Sequence, residues 1–176
     1  MCMAWRLLTY RLAAEPSRHR VAVWRELRRA GAVSLQQGIW AVPGGAAFDE
    51  ALQRAIGLIE RGDGDAFVFE VTPTGATVAR LEGAFTAERE AEWVEFVSEC
   101  GKFDAEIAGE IAKEKFTLAE LDEEEQNLDR LKRWYRELRA RDLFGAPTAP
   151  VAERRLKTSE EALEDFAERV FAARER

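Results

Sequence analysis

The first 31 residues hold seven arginines against two glutamates. Five of the arginines, Arg18, Arg20, Arg25, Arg28 and Arg29, fall in the stretch RHRVAVWRELRRAG, 18–31. A guanidinium is planar, permanently charged and carries five N–H donors, which suits it to a phosphate or a tetrahedral oxyanion. On a helix Arg18, Arg25 and Arg29 stand at i, i+7 and i+11 and share one exposed stripe, with Arg20 and Arg28 flanking it. Against a nucleic-acid backbone such a stripe positions the protein and reads no sequence, unless one head reaches a guanine edge. The plainer alternative is a solvated helix face, or one neutralised by the acidic second half of the chain.

Other chemistries find less support. The chain has one histidine, His19, which sits between Arg18 and Arg20. With a single histidine in the whole chain, Ser17, Ser34 and Ser98 are not expected to form a nucleophilic triad. PGGAAF, 43–48, lacks the lysine and threonine of a phosphate-binding loop. The two cysteines, Cys2 and Cys100, have no metal or redox spacing and read as reduced structural thiols. Glu95, Glu99, Glu106 and Glu110 recur along one helix flank, but no Glu-x-x-His accompanies them, so solvent-exposed ion pairs are expected rather than a di-metal centre. Glu124 differs. It lies between Leu121 and Leu128 where an apolar residue belongs, so it is expected to be buried against a basic partner, with one of the arginines the obvious candidate. No catalytic residue, metal site or cofactor is expected.

The elements that would position these groups follow from periodicity. Residues 4–13 alternate like a strand around Leu8, Tyr10 and Leu12. A helix is predicted from about Pro16 to Ala30, with Val23, Trp24, Leu27 and Ala30 inward and Gly31 as its stop. AVSLQ and GIWAV are two short strands around a Gln37-Gly38 turn. Residues 46–61 form a second amphipathic helix, and 66–72 a β-rich, largely buried strand. The order β-α-β-β-α-β is the ferredoxin-like arrangement. TGATVARLEGAF, 74–85, reads as an additional edge strand after a turn at 73–75. From Thr86 the chain turns helical, to about Glu114, and Thr117 with Glu120 form a capping box for the next helix. Thr158 and Glu161 suggest another, opening a last helix after a loop at 144–150. The expectation is an α+β protein with a ferredoxin-like domain at 1–85. A helical extension at 86–176, an αα-hairpin plus a C-terminal helix, is expected to pack on it.

Composition narrows the class. The 176 residues are 47% hydrophobic and 34% charged, as in an ordinary globular protein. No apolar run approaches a membrane span, and the start lacks a signal-peptide core and cleavage site, so a cytoplasmic protein without membrane contact is expected. The net charge of −7 opposes generic nucleic-acid affinity, although the arginine-rich start runs against it.

Trp5, the run Arg18 to Gly31 and Gln37-Gly38-Ile39-Trp40-Ala41-Val42-Pro43 together resemble the N-terminal domain of the bacterial chromate-resistance protein ChrB. EKFTLAELDEEEQNLDRLKRWYRELRARDLFGAP, 114–147, is similar to the helical segment that comes next in that family. The resemblance implies a non-enzymatic regulator of chromate-inducible operons. Its partners would be DNA, chromate or another oxyanion held by the basic helix, and the family's further C-terminal domain is expected to lie beyond this chain. The sheet region also resembles the ferredoxin-like domain of PaaX-type repressors, whose preceding winged helix is not expected here. More distantly it resembles the nuclease-like subunit of CRISPR adaptation. Those relatives imply a homodimer, with Trp40 and Ile39 as interface candidates. The nuclease places a metal-binding aspartate at the end of the first strand. That end here reads Tyr10-Arg11-Leu12, and arginine cannot ligate a hard cation. The rival class is an interaction module that binds another protein and no nucleic acid.

Overall fold

The alternation of apolar residues in β1 (Trp5–Arg11) makes it a central strand of a four-stranded antiparallel sheet. The computed structural model describes residues 3–175, so Cys2 lies outside the described residues. After β1 come α1 (Ser17–Ala30), β2 (Val33–Gln36), β3 (Ile39–Pro43), α2 (Ala46–Arg61), β4 (Asp65–Val71), α3 (Ala76–Ala112), α4 (Leu118–Arg141) and α5 (Ala149–Arg174). The sheet order is β2-β3-β1-β4. The chain divides into two compact units, Met1–Glu88 and Arg89–Arg176, and the boundary falls inside α3.

In the first unit, strand register separates two faces. Leu8 stands across from Trp40 and Val68, and Arg6 across from Val42. Leu8, Trp40 and Val42 are buried, as are Val23 and Leu27 of α1 and Leu52, Ala55 and Ile59 of α2, so both helices cover this face. Arg6 on the same face reaches Asp49 in the first turn of α2. Leu7, Thr9, Ile39, Phe67 and Phe69 point the other way. Gly31 ends α1 at φ 79°, in the left-handed region, and Ala32 N–H donates to the Leu27 carbonyl at 2.9 Å, which satisfies an otherwise orphaned helix end. Gly38 turns between β2 and β3 at φ 74°, where an added Cβ would lie 2.6 Å from the Tyr10 carbonyl oxygen.

Two predicted boundaries are corrected. Residues 76–85 are not a strand but the first turns of α3. Leu81 and Phe85 lie one turn apart and are buried, and the Phe85 ring meets Trp5 and Phe48 edge-on at 6.1 and 6.2 Å. The last helix begins at Ala149, with Pro150 in its first turn, and not near Thr158. Thr158 lies mid-helix, and its hydroxyl donates back to the Arg154 carbonyl. Thr117 caps α4 as expected, Glu120 N–H donating to Thr117 Oγ1 at 3.2 Å, but the reciprocal half of the box is replaced: Thr117 N–H donates to the Lys115 carbonyl at 3.1 Å.

The second unit packs α3, α4 and α5 around one core that includes Trp93, Phe96, Leu128, Leu138, Leu163 and Phe166. Cys100 is buried there, and burial pushes its thiol up to about 11, consistent with a structural role. The chain leaving α4 is held by Asp142. Its carboxylate accepts from Trp93 Nε1 at 3.0 Å and from the backbone N–H groups of Gly145 and Ala146.

Candidate functional site: the basic face of the first helix

Only Val23 and Leu27 of α1 are buried, one turn apart, so the rest of the helix faces outward or sideways. Arg18, Arg20, Arg25, Arg28 and Arg29 are all exposed. Arg18, Arg25 and Arg29 share a stripe as their spacing required. Arg20 does not flank it. It stands about 160° around the helix from Arg18, on the side where its charge acts on Tyr10 of β1.

Arg28 is already engaged, its Nη1 donating to Glu88 Oε2 at 2.6 Å. Arg18 Nε donates to His19 Nε2 at 3.4 Å, and no carboxylate pairs with Arg18, Arg20 or Arg25 among the described residues. The arginine face is therefore partly neutralised and partly open.

Trp24, expected inward, is 51% exposed. Arg20 and Arg28 stand one turn to either side of it. The missed signal is angular: Val23 and Leu27 already define the inward stripe, and Trp24 falls off it by 60° or more at about 100° per residue. Trp40, an interface candidate, is only 7% exposed and belongs to the helix-covered face. Ile39 is half-buried on the opposite face.

Beside α1 lies α2, running the other way: Arg54 Nε donates to Glu26 Oε1 at 2.6 Å, and Gly62 abuts His19. A Cβ at Gly62 would lie 2.8 Å from Leu12 Cδ1 and 3.0 Å from His19 Cβ. His19 is thus half-buried against the end of α2. An open groove lined by Glu26, Gln53, Arg54, Gly57, Leu58 and Arg61 follows the two helices.

The carboxylate expectations divide. Glu124 is buried, at 2% exposure, as its place between leucines required. Its partner is not a cation. The carboxylate accepts from Asn127 Nδ2 at 3.3 Å, and burial pushes its pKa upward, with Glu106, Glu123 and Glu110 adding to the rise. Glu110, expected at the surface, is buried and held by Lys113 and Lys115, which, Lys113 first, lower its pKa. Glu99 pairs with Lys102 as expected of a surface acid. Among the described residues no three or more His, Cys, Asp or Glu side chains are grouped to hold a metal ion. Arg11 stands exposed across from Asp65 at the end of β1.

A mixed α+β chain, with a four-stranded antiparallel sheet, five helices among the described residues and a basic first helix bearing an exposed tryptophan, is the class these features define. Residues 20–176 match the family model described as Protein ChrB, N-terminal, and the chain belongs to that family. No curated protein matches the chain. None of its helices, among the described residues, is long and apolar enough to cross a membrane.

Proposed function

We propose that the chain is a non-enzymatic regulatory module of the ChrB type, serving chromate resistance in the cytoplasm, and that α1 contacts the phosphate backbone of DNA. The observation that carries this reading is the pair Arg18 and Arg25, exposed on one stripe and without a carboxylate partner among the described residues. The β2-β3-β1-β4 order, with α1 and α2 on one face, supports a ferredoxin-like reading of the sheet unit.

The spread of the arginines favours a row of phosphates over one small oxyanion. Arg18 and Arg25 are separated by about 10 Å along the helix axis, and Arg25 and Arg29 by about 6 Å. A single tetrahedral anion meets at most neighbouring heads, whereas DNA offers a charge about every 1.7 Å of its length. The chain's net charge of −7 works against this contact at long range, so binding depends on orienting the basic face.

Fluorescence anisotropy with a labelled duplex of about 30 base pairs tests this. Joint replacement Arg18→Ala with Arg25→Ala is expected to weaken binding by roughly ten- to a hundredfold, on any sequence, while chromate alone gives no heat of binding. Tight chromate binding lost in that variant, with no duplex affinity, would move the site to the oxyanion class. A second reading, a module that binds protein only, draws on the exposed Phe67 and Phe69 of β4. Equal, negligible duplex affinity of both proteins would favour it.

A further inference from the structure

The two edges of the sheet are built differently. β2, at one edge, has four residues and a bulge between Ser34 and Gln36, and short, bulged edges resist pairing with another strand. β4, at the other, pairs with β1 in unbroken register over all seven of its residues. Its sequence DAFVFEV holds no proline and no lysine, the residues that usually guard an edge. Its outer backbone N–H and C=O groups find no other strand among the described residues.

That unguarded edge is also aromatic. Phe67 and Phe69 are 63% and 51% exposed, both on the face away from α1 and α2, beside the half-buried Leu7 and Ile39. Its charges are answered within the chain: Glu70 pairs with Arg6 at 2.7 Å, and Asp65 stands across from Arg11. Each of the strand's two acids thus faces an arginine of β1, which limits repulsion between copies at this edge in a chain of net charge −7.

We propose that β4 of one copy pairs antiparallel with β4 of a second copy about a two-fold axis at Val68, so that Phe67 of each stands across from Phe69 of the other. The self-complementarity of the strand selects the second copy as occupant. In this register Ala66 meets Glu70 of the second copy and Asp65 meets its Val71, so no like charges face each other. Centring the axis on Phe67 sets Phe69 against an aspartate, and centring it on Phe69 leaves each Phe67 opposite a valine. Only the axis at Val68 gathers all four rings, and it joins two four-stranded sheets into one with their outer faces on the same side. The patch is small. Two partly exposed phenylalanines and one strand edge bury well under the about 800 Å² per partner of a standard interface, so the dimer belongs to the weak, concentration-dependent class. This replaces Trp40 as the interface anchor, since Trp40 lies under the helices, and keeps Ile39 at the margin.

Sedimentation equilibrium of the full chain from about 1 to about 200 μM is expected to show a monomer–dimer equilibrium. Phe67→Lys with Phe69→Lys abolishes the dimer, while Phe171→Lys, at an exposed site on α5, leaves it unchanged. Circular dichroism of each variant identifies any that fails to fold. In a Cys2→Ser background, Val68→Cys cross-links on mild oxidation, since a residue on the axis meets its own copy, and this variant adds no charge to the strand. The dimer persists in 0.5 M salt, at which a phosphate contact through α1 dissolves, so the two readings fail separately. A chain monomeric throughout, a dimer indifferent to both lysines, or a dimer in which Val68→Cys stays reduced would each overturn the proposal.

Discussion

At the scale of single residues, two side chains depart from the roles their types suggest. Glu124 is a carboxylate in a leucine position, satisfied by one amide and surrounded by Glu106, Glu110 and Glu123, with Lys113 and Lys115 committed to Glu110. Its pKa in the folded chain lies above the ordinary 4.5, so folding favours the protonated form. Its contribution to stability is therefore full below pH 4.5 and is lost as pH rises through the raised folded value. Glu124→Gln removes that dependence. Thermal melts are expected to superimpose at pH 4, while at pH 8 the variant is more stable by about 1 kcal/mol, or about 2–4 °C. A wild type as stable as the variant at pH 8 would show the carboxylate to be ionised without cost.

The burial of Glu124 was legible because spacing fixes a helical face. Its partner was missed for a different reason: a buried carboxylate calls for a cation, whereas the group that answers it is the short amide of Asn127, three residues on in the same helix. Trp24 was missed for its angle. An aromatic beside Val23 reads as core, yet 3.6 residues per turn carry it round to the flank between Arg20 and Arg28. The arginines themselves were legible as an exposed set. The ion pair of Arg28 with Glu88 was not, since it joins residues 60 positions apart.

At the scale of elements, the places of β1 to β4 and of the first two helices follow from alternation, a β-rich run, a Gly stop at 31 and a tight turn at 38. The burial expected of β4 is corrected: it is an edge strand with most of its residues exposed. The failures lie where a local signal was ambiguous. TGATVARLEGAF carries β-branched residues near its start, but Leu81 and Phe85 at i, i+4 are both buried and the Phe85 ring finds that of Trp5, so tertiary packing decides for helix. Thr158 and Glu161 match a capping pattern, but a threonine inside a helix bonds back to the preceding turn as readily as it caps. The connection from α4 to α5 contains no regular structure and depends on Asp142, which gathers Trp93 Nε1 and two backbone N–H groups. Asp142→Ala leaves those buried donors unanswered and is expected to cost about 3 kcal/mol in urea unfolding, with a shift in tryptophan emission. A loss under about 0.5 kcal/mol would mean the connection is held by other contacts.

At the scale of the whole molecule, the chain combines a net charge of −7 with a basic first helix. For the DNA contact proposed above, that separation opposes indiscriminate polyanion binding and leaves one face basic. Some acidic residues are engaged in ion pairs within a unit, such as Glu70 with Arg6 and Asp104 with Arg155, and Arg18 and Arg25 take no part in such pairs among the described residues. The most direct test of a backbone contact is the salt dependence of duplex binding, measured between 50 and 200 mM salt for the wild type and for Arg18→Ala with Arg25→Ala. Each lost phosphate contact reduces the slope of log K on log salt by about 0.9, so a slope shallower by about 2 is expected of the double variant. Identical slopes for the two proteins, or wild-type affinity that does not fall as salt rises, would contradict the assignment of α1 to DNA.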